Sequence, residues 1–210
     1  MNRKGILIVI SGFSGAGKGT LMKKLTADYD NYALSISMTT RGPRDGEMNG
    51  REYFFVTKDE FEERIAQDGM IEYASYCGNY YGTPRAYVEE QLENGKDVIL
   101  EIEIQGAHKV KEIYPQALLL FVMPPSAGEL YRRLKGRGTE TDEVIAKRMS
   151  RAVEESEGID TYDYIVVNDK LEDCIAQINA IVGAAHNTPG CNEEFIDTIR
   201  KELKDLLKGE

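Results

Sequence analysis

Apolar residues follow two rhythms along this chain. Gly5–Ser11 holds the unbroken run Ile6-Leu7-Ile8-Val9-Ile10, and Asp97–Glu103 holds Val98-Ile99-Leu100 before ending in acids. Leu118–Met123 and Tyr164–Val167 are two more such stretches. Short runs without a polar face predict strands buried on both sides, as in a parallel sheet. The second rhythm is helical. Leu21, Met22 and Leu25 share one face of Lys18–Asp28, and Ile175, Ile178 and Ile181 or Val182 share one face of Leu171–Ala184. Ala127–Leu134 and Asp142–Ser156 read as helices around a polar turn at Gly136–Thr141. Thr57 opens another helix, with Glu60 completing a capping box, Phe61 and Ile65 forming its stripe, and Gly69 ending it. Pro84 stands at the first helical position of a segment closed by Gly95. Leu34–Met38, Tyr53–Val56 and Met70–Tyr76 read as shorter strands, and Thr39–Gly50 as an Arg-rich loop. After a Thr188-Pro189-Gly190 loop, Phe195, Ile196, Ile199, Leu203 and Leu206 mark a final amphipathic helix over about 191–208, whose stripe should dock on the core or on a partner chain.

Strands alternating with helices imply an α/β fold, a three-layer core with a parallel sheet covered on both faces. The stretches 36–86 and 127–157 lack long buried runs and read as lobes inserted into a core of about 1–35, 87–126 and 158–187. A length of 210 residues suits one such unit.

Charge and the rarer residues narrow the function classes. A net charge of −10 disfavours a general nucleic-acid binder, although an acidic protein can still carry a positive cleft. Cys77, Cys174 and Cys191 are odd in number and scattered, the pattern of free thiols rather than of a disulfide framework or zinc site. His108 and His186 show no metal-ligand spacing. No apolar run is long enough to span a bilayer, and the first one breaks into glycines instead of a cleavage site, so the expected location is the cytoplasm.

Those glycines carry the first candidate chemistry. In Ser11-Gly12-Phe13-Ser14-Gly15-Ala16-Gly17-Lys18-Gly19-Thr20, Gly12 and Gly17-Lys18 have P-loop spacing between a strand and a helix. Glycines let successive N–H groups turn inward onto phosphate oxygens at a helix N-terminus, and Lys18 can bridge the β- and γ-phosphates. The pattern calls for Ser or Thr directly after the lysine. Here Gly19 intervenes, which leaves Thr20 as the hydroxyl next to a metal.

Further segments resemble the guanylate kinase family in order, over about residues 5–185. They are Ser35-Ile36-Ser37-Met38-Thr39-Thr40-Arg41-Gly42-Pro43-Arg44, Gly46–Phe55, Ile71-Glu72-Tyr73, Gly78–Thr83, Ile99–Gly106, Arg137-Gly138-Thr139-Glu140 and Val167-Asn168-Asp169. The resemblance implies a GMP-binding lobe at 36–86, a lid at 127–157 and phosphoryl transfer from ATP to GMP or dGMP with Mg²⁺. It implies that Arg41, Arg44, Tyr53 and Tyr81 grip the monophosphate, and that Ser37, Glu72, Thr83 and Glu103 form the base pocket. Residues Gly12 to Thr20, with Arg133 and Asn168, are implied to hold ATP. Lys18, Arg41, Arg137 and Arg148 are implied to neutralise the transferring group, and Glu101 to orient Mg²⁺-bound water, with Thr20 beside it. The family usually has Asp where Glu101 and Glu103 stand here. The chemistry of the types agrees: arginines bind phosphate bidentately, and a carboxylate accepts both donors of the guanine edge. Two other readings stay open. Adenylate kinases share the Gly-Lys-Gly-Thr ending, and some guanylate-kinase-like domains are non-catalytic interaction modules. The expected partners are the nucleotides, with no nucleic acid and no membrane, on a monomer or homodimer.

Overall fold

A computed structural model describes residues 4–136 and 141–208. In chain order the elements are β1 (Leu7–Gly12), α1 (Lys18–Asp28), β2 (Tyr32–Leu34), β3 (Met38–Thr39), β4 (Phe54–Phe55), α2 (Lys58–Ala66), β5 (Met70–Tyr76), β6 (Asn79–Pro84), α3 (Arg85–Glu93), β7 (Asp97–Glu101), α4 (Ile104–Ile113), β8 (Leu118–Met123), α5 (Ala127–Gly136), α6 (Asp142–Ser156), β9 (Tyr164–Val167), α7 (Leu171–Ala185) and α8 (Glu193–Lys208). Short 3₁₀ turns lie at Ile159–Thr161 and Pro189–Asn192.

Five strands form a parallel sheet in the order β2-β7-β1-β8-β9. Because side chains alternate across a strand, the apolar run of β1 feeds both faces. Ile6, Ile8 and Ile10 join Leu21 and Leu25 of α1, Leu130 of α5, Ile145 of α6 and Ile178 of α7. Leu7 and Val9 join Val88 of α3 and Val110 of α4 on the opposite face. Each fully buried aliphatic side chain of this kind stabilises the fold by about 1.5–3 kcal/mol. Asp97 is the buried polar tie at the other end of the sheet from the glycine-rich loop. It accepts from Ile6 N at 2.9 Å and Asn31 Nδ2 at 3.0 Å, and pairs with His186 Nε2 at 2.8 Å. One carboxylate thus fastens the entry to β1, the turn before β2 and the end of α7.

A second sheet, β4-β3-β6-β5, is built from residues 38–84 around Met38, Phe61 and Met70. Its antiparallel pair β5–β6 turns at Cys77-Gly78, both at positive φ (49° and 77°), the backbone that a two-residue hairpin needs. The capping box opens α2 as the sequence implies: Glu60 Oε2 accepts from Thr57 N at 2.7 Å, and Thr57 Oγ1 accepts from Glu60 N at 3.3 Å.

Several expectations are corrected. The strand expected over Leu34–Met38 is divided: β2 ends at Leu34 in the large sheet, and β3 begins at Met38 in the small one. Strand β6 was not anticipated, since its tyrosines, glycine and proline carry little alternation, and Pro84 ends it as the N-cap of α3 rather than opening the helix. Strand β7 stops at Glu101, and α4, also unanticipated, starts at Ile104 with Glu103 as its N-cap. Strand β9 is an edge: Val166 is buried, while Tyr164, Ile165 and Val167 are exposed. In the single chain the apolar stripe of α8 faces solvent, with Leu203 and Leu206 57% and 72% exposed. Among the described residues, no helix is long and apolar enough to cross a membrane.

Candidate active site

Open parallel sheets offer ligands a crevice at the carboxyl ends of their strands. Here β1 ends in Gly12 and β7 in Glu101, and both line a cleft of about 780 Å³. Between β1 and α1 the glycine-rich loop turns with Gly15 and Gly17 at φ 96° and 90°. At Gly12, a Cβ would lie 2.1 Å from Val122 O, so the close approach of β1 to β8 demands glycine there. Gly19 is different, because a Cβ would meet nothing within 4 Å. Its lack of a side chain is not imposed by packing.

Lys18 folds back over the loop, its Nζ donating to Gly12 O at 2.6 Å and Phe13 O at 3.3 Å. Arg148 reaches across from α6 and donates to Ser14 Oγ at 2.7 Å. Two cationic side chains therefore converge on one nest of backbone amides. Behind the loop, Asn168 Nδ2 donates to Ala16 O at 2.8 Å, and Arg133 Nη2 to Asn168 O at 2.9 Å. Asn168 is buried, and both residues brace the loop from behind the cleft. Thr20 is exposed on the first turn of α1 and does not line the cleft. Arg137 lies outside the described residues.

The facing wall comes from the small sheet. Ser37, Tyr53 and Thr83 line it. Strand register sets Glu72 of β5 opposite Thr83 of β6, and Thr83 Oγ1 donates to Glu72 Oε1 at 2.8 Å. Burial raises the Glu72 carboxyl above the ordinary glutamate value, against the lowering effects of that hydrogen bond and of Lys109. Beside this pair, Arg41 lies over the rings of Tyr53 and Phe55 at 5.3 and 5.7 Å, and Tyr53 packs edge-on against Tyr81 at 6.1 Å. Arg44 is exposed on the same loop.

Two contributors escaped the sequence reading. Glu47 holds Arg41 through a fork of 2.9 and 3.0 Å and accepts from Arg44 N at 2.8 Å. The guanidinium holds the Glu47 carboxyl below the ordinary range. Arg151 donates to Glu103 Oε2 at 2.5 Å and to Glu155 Oε1 at 3.0 Å, so α6 touches both the loop and the start of α4. Arg151 follows Arg148 by one helical turn, a spacing visible in the sequence. The contribution of Glu47 was hidden because acids in arginine-rich loops are usually solvated. Among the described residues no cluster of three His, Cys, Asp or Glu could hold a metal. Glu101 and Glu103 line the cleft floor as single carboxylates, which suits an ion carried mainly by a ligand's own phosphates.

Fold and cleft define a class: an α/β kinase of small molecules, with a cationic glycine-rich loop on one side of a crevice and a polar acceptor pocket on the other. Residues 4–185 match the family model described as guanylate kinase. The chain is 50% identical to a guanylate kinase of Oceanobacillus iheyensis over 99% of both chains. It is 52% identical to one of Bacillus subtilis over 89% of this chain and 92% of that one. The crystal structure of guanylate kinase from Anaplasma phagocytophilum superposes with a TM-score of 0.69 at 31% identity, covering 90% of this chain and 89% of that one. The chain belongs to the guanylate kinase family.

Proposed function

We propose that this protein transfers the γ-phosphoryl group of ATP to GMP, and to dGMP, giving ADP and the nucleoside diphosphate. The observation that carries the acceptor is the Glu72–Thr83 pair at 2.8 Å, half hidden behind the wall of a cleft whose other side is the Lys18–Arg148 loop. Guanine offers N1–H and its 2-amino group on one edge, and a carboxylate accepts both. Adenine offers a lone pair and no amino group there. Ser37 can donate to guanine O6. Arg41, Arg44, Tyr53 and Tyr81 take the acceptor's phosphate, with Glu47 fixing the Arg41 fork before GMP arrives.

An acceptor phosphate oxygen attacks the γ-phosphorus in line as the bond to the β–γ bridging oxygen breaks, and ADP leaves with that oxygen. A phosphate monoester has a second pKa near about 6, so the nucleophile is already anionic and needs no general base. Lys18, Arg41 and Arg148 neutralise charge on the transferring group, and Arg137 is assigned the same task from the family pattern. Glu101 would orient the water shell of Mg²⁺ carried in with ATP. When bound, that ion would supply charge neutralisation to the transferring phosphates. The segments 36–86 and 127–157 move as lobes and close to exclude water, which would otherwise compete as acceptor. Retention of Lys18 and Arg148 on the loop supports catalysis over a purely binding role.

An ADP-release assay against a panel of nucleoside monophosphates tests the reading. GMP should exceed AMP in kcat/KM by about 10⁴ or more, since the wrong base leaves buried polar groups unpaired. Equal or greater use of AMP would overturn it.

A further inference from the structure

Glycine stands at the third residue of α4, where the fold itself does not call for it. The φ of Gly106 lies outside the left-handed region, so its backbone suits any residue. In a helix glycine is less favourable than alanine, because it loses more backbone freedom on folding. Nor does close packing exclude a side chain. At Gly12 and Gly82 an added Cβ would strike a backbone oxygen, at 2.1 and 2.6 Å. At Gly106 its three nearest neighbours would be side-chain atoms: Ile102 Cδ1 at 3.2 Å, Ile102 Cβ at 3.5 Å and Glu72 Oε2 at 3.5 Å. The first is the flexible end of a side chain, and the other two are ordinary contacts.

The missing side chain leaves one flank of the Glu72 carboxylate open. Oε1 is committed to Thr83 Oγ1 at 2.8 Å, whereas Oε2 accepts no hydrogen bond among the described residues and lies by the first turn of α4. Ile102 and Ile104, on either side of the Glu103 N-cap, line the cleft. The empty position beside Gly106 therefore borders both the cleft wall and the uncommitted oxygen. The same helix favours a charged acceptor there. Burial raises the Glu72 carboxyl; the Thr83 bond and the charge of Lys109, one turn beyond Gly106, act against it. No side chain caps the N-terminus of α4, whose partial positive charge works in the same direction. We propose that Gly106 is a specificity-determining residue, whose missing side chain keeps Glu72 Oε2 open to the donors of the guanine edge. The inference rests on the GMP reading above and adds α4 to the strands β5 and β6 as a wall of the base pocket.

Gly106→Ala places one methyl in that space. The variant should hold or raise the melting temperature, since alanine is the better helix former. GMP should lose at least about tenfold in kcat/KM, as expected when one acceptor of a polar pocket is covered, and the loss should fall on KM rather than kcat. AMP presents no pair of donors to Oε2, so the GMP-to-AMP ratio of kcat/KM should fall by nearly the same factor. A double-mutant cycle tests the route. In a Glu72→Gln background, Gly106→Ala should change kcat/KM for GMP by no more than about twofold, because the group it covers no longer accepts both donors. An unchanged GMP-to-AMP ratio in Gly106→Ala, or its full loss repeated in the Glu72→Gln background, would overturn the inference. So would a clearly lowered melting temperature, which would make Gly106 a packing residue between α4 and β5. A wild type without preference for GMP would fail the base reading, and this inference with it; a wild type that prefers GMP separates the two.

Discussion

In the proposed role Glu72 must be charged to accept two donors from guanine, yet burial favours its neutral form. The sign follows directly. A carboxyl whose folded pKa lies above its unfolded value binds its proton more tightly in the folded state. Its contribution to stability is therefore present at low pH and lost as pH rises through the raised value. Ligand binding runs the other way, since GMP selects the ionised form. GMP affinity should weaken as pH falls, beginning at higher pH than an ordinary glutamate would give. Titration calorimetry of wild type and Glu72→Gln isolates this, because the acceptor's own phosphate titrates in both; only wild type should show the additional loss. At neutral pH, Glu72→Gln should collapse the GMP-to-AMP ratio of kcat/KM, while ligand-free melting stays equal or rises. A variant that keeps its GMP preference would refute the role of Glu72. Arg151 supplies a second residue-scale prediction. Its bond to Glu103 occupies a carboxylate assigned to the base pocket. The pair is largely exposed, and such pairs contribute about 0–1 kcal/mol. Arg151→Met should then tighten GMP binding without ATP by no more than about fivefold, read by calorimetry. Weaker GMP binding would mean that Arg151 helps to hold the acceptor instead.

At the scale of elements, the parallel sheet was legible because each of its central strands carries a continuous apolar run. β1 and β8 read directly, as did the helices with one apolar stripe. What stayed hidden has physical causes. Strand β6 relies on a Cys77-Gly78 turn, and cysteine is not a residue that marks a hairpin. Helix α4 begins one residue after Glu103, so the acids that end β7 read as more strand. The glycine-rich loop was fully legible, but its support was not. Asn168 resembles a nucleotide contact in sequence, and in the fold its Nδ2 also donates to Ala16 O, a role the sequence does not show. That support gives a test. Gly17 has φ 90°, and a Cβ there would lie 2.7 Å from Asn168 Nδ2. Gly17→Ala should cost about 1–3 kcal/mol of local strain and reduce kcat/KM for ATP by tenfold or more, with the GMP dissociation constant nearly unchanged. Steady-state kinetics and calorimetry separate the two, and equal losses on both substrates would mean that the damage spreads beyond the loop.

For the whole molecule, the arrangement of charges argues for movement. The cleft holds Lys18 and Arg148 on one side and Glu101, Glu103 and Glu155 on its floor and rim, with solvent between. Phosphoryl transfer needs the two nucleotides in line and water excluded, and a gap of about 780 Å³ that opens to solvent provides neither. The contacts that span it are few and polar. Arg148 to Ser14 and Arg151 to Glu103 are side-chain contacts that can exchange partners at little cost, while Ile145 and Ala152 anchor α6 in the main core. The small sheet keeps its own cluster around Phe61 and is tied to a main core cluster by Ile71 of β5. Closure is expected to be a rotation of 36–86 and 127–157 toward the loop when both sites are filled, with these buried contacts as its pivots. Small-angle scattering with a bisubstrate analogue, in which a phosphate chain links adenosine to guanosine, should show a smaller radius of gyration than the free protein. ATP alone or GMP alone should each give a partial change, because each fills one wall. A radius unchanged by the analogue, at full occupancy by calorimetry, would mean that the cleft works open and that water is excluded by the nucleotides themselves.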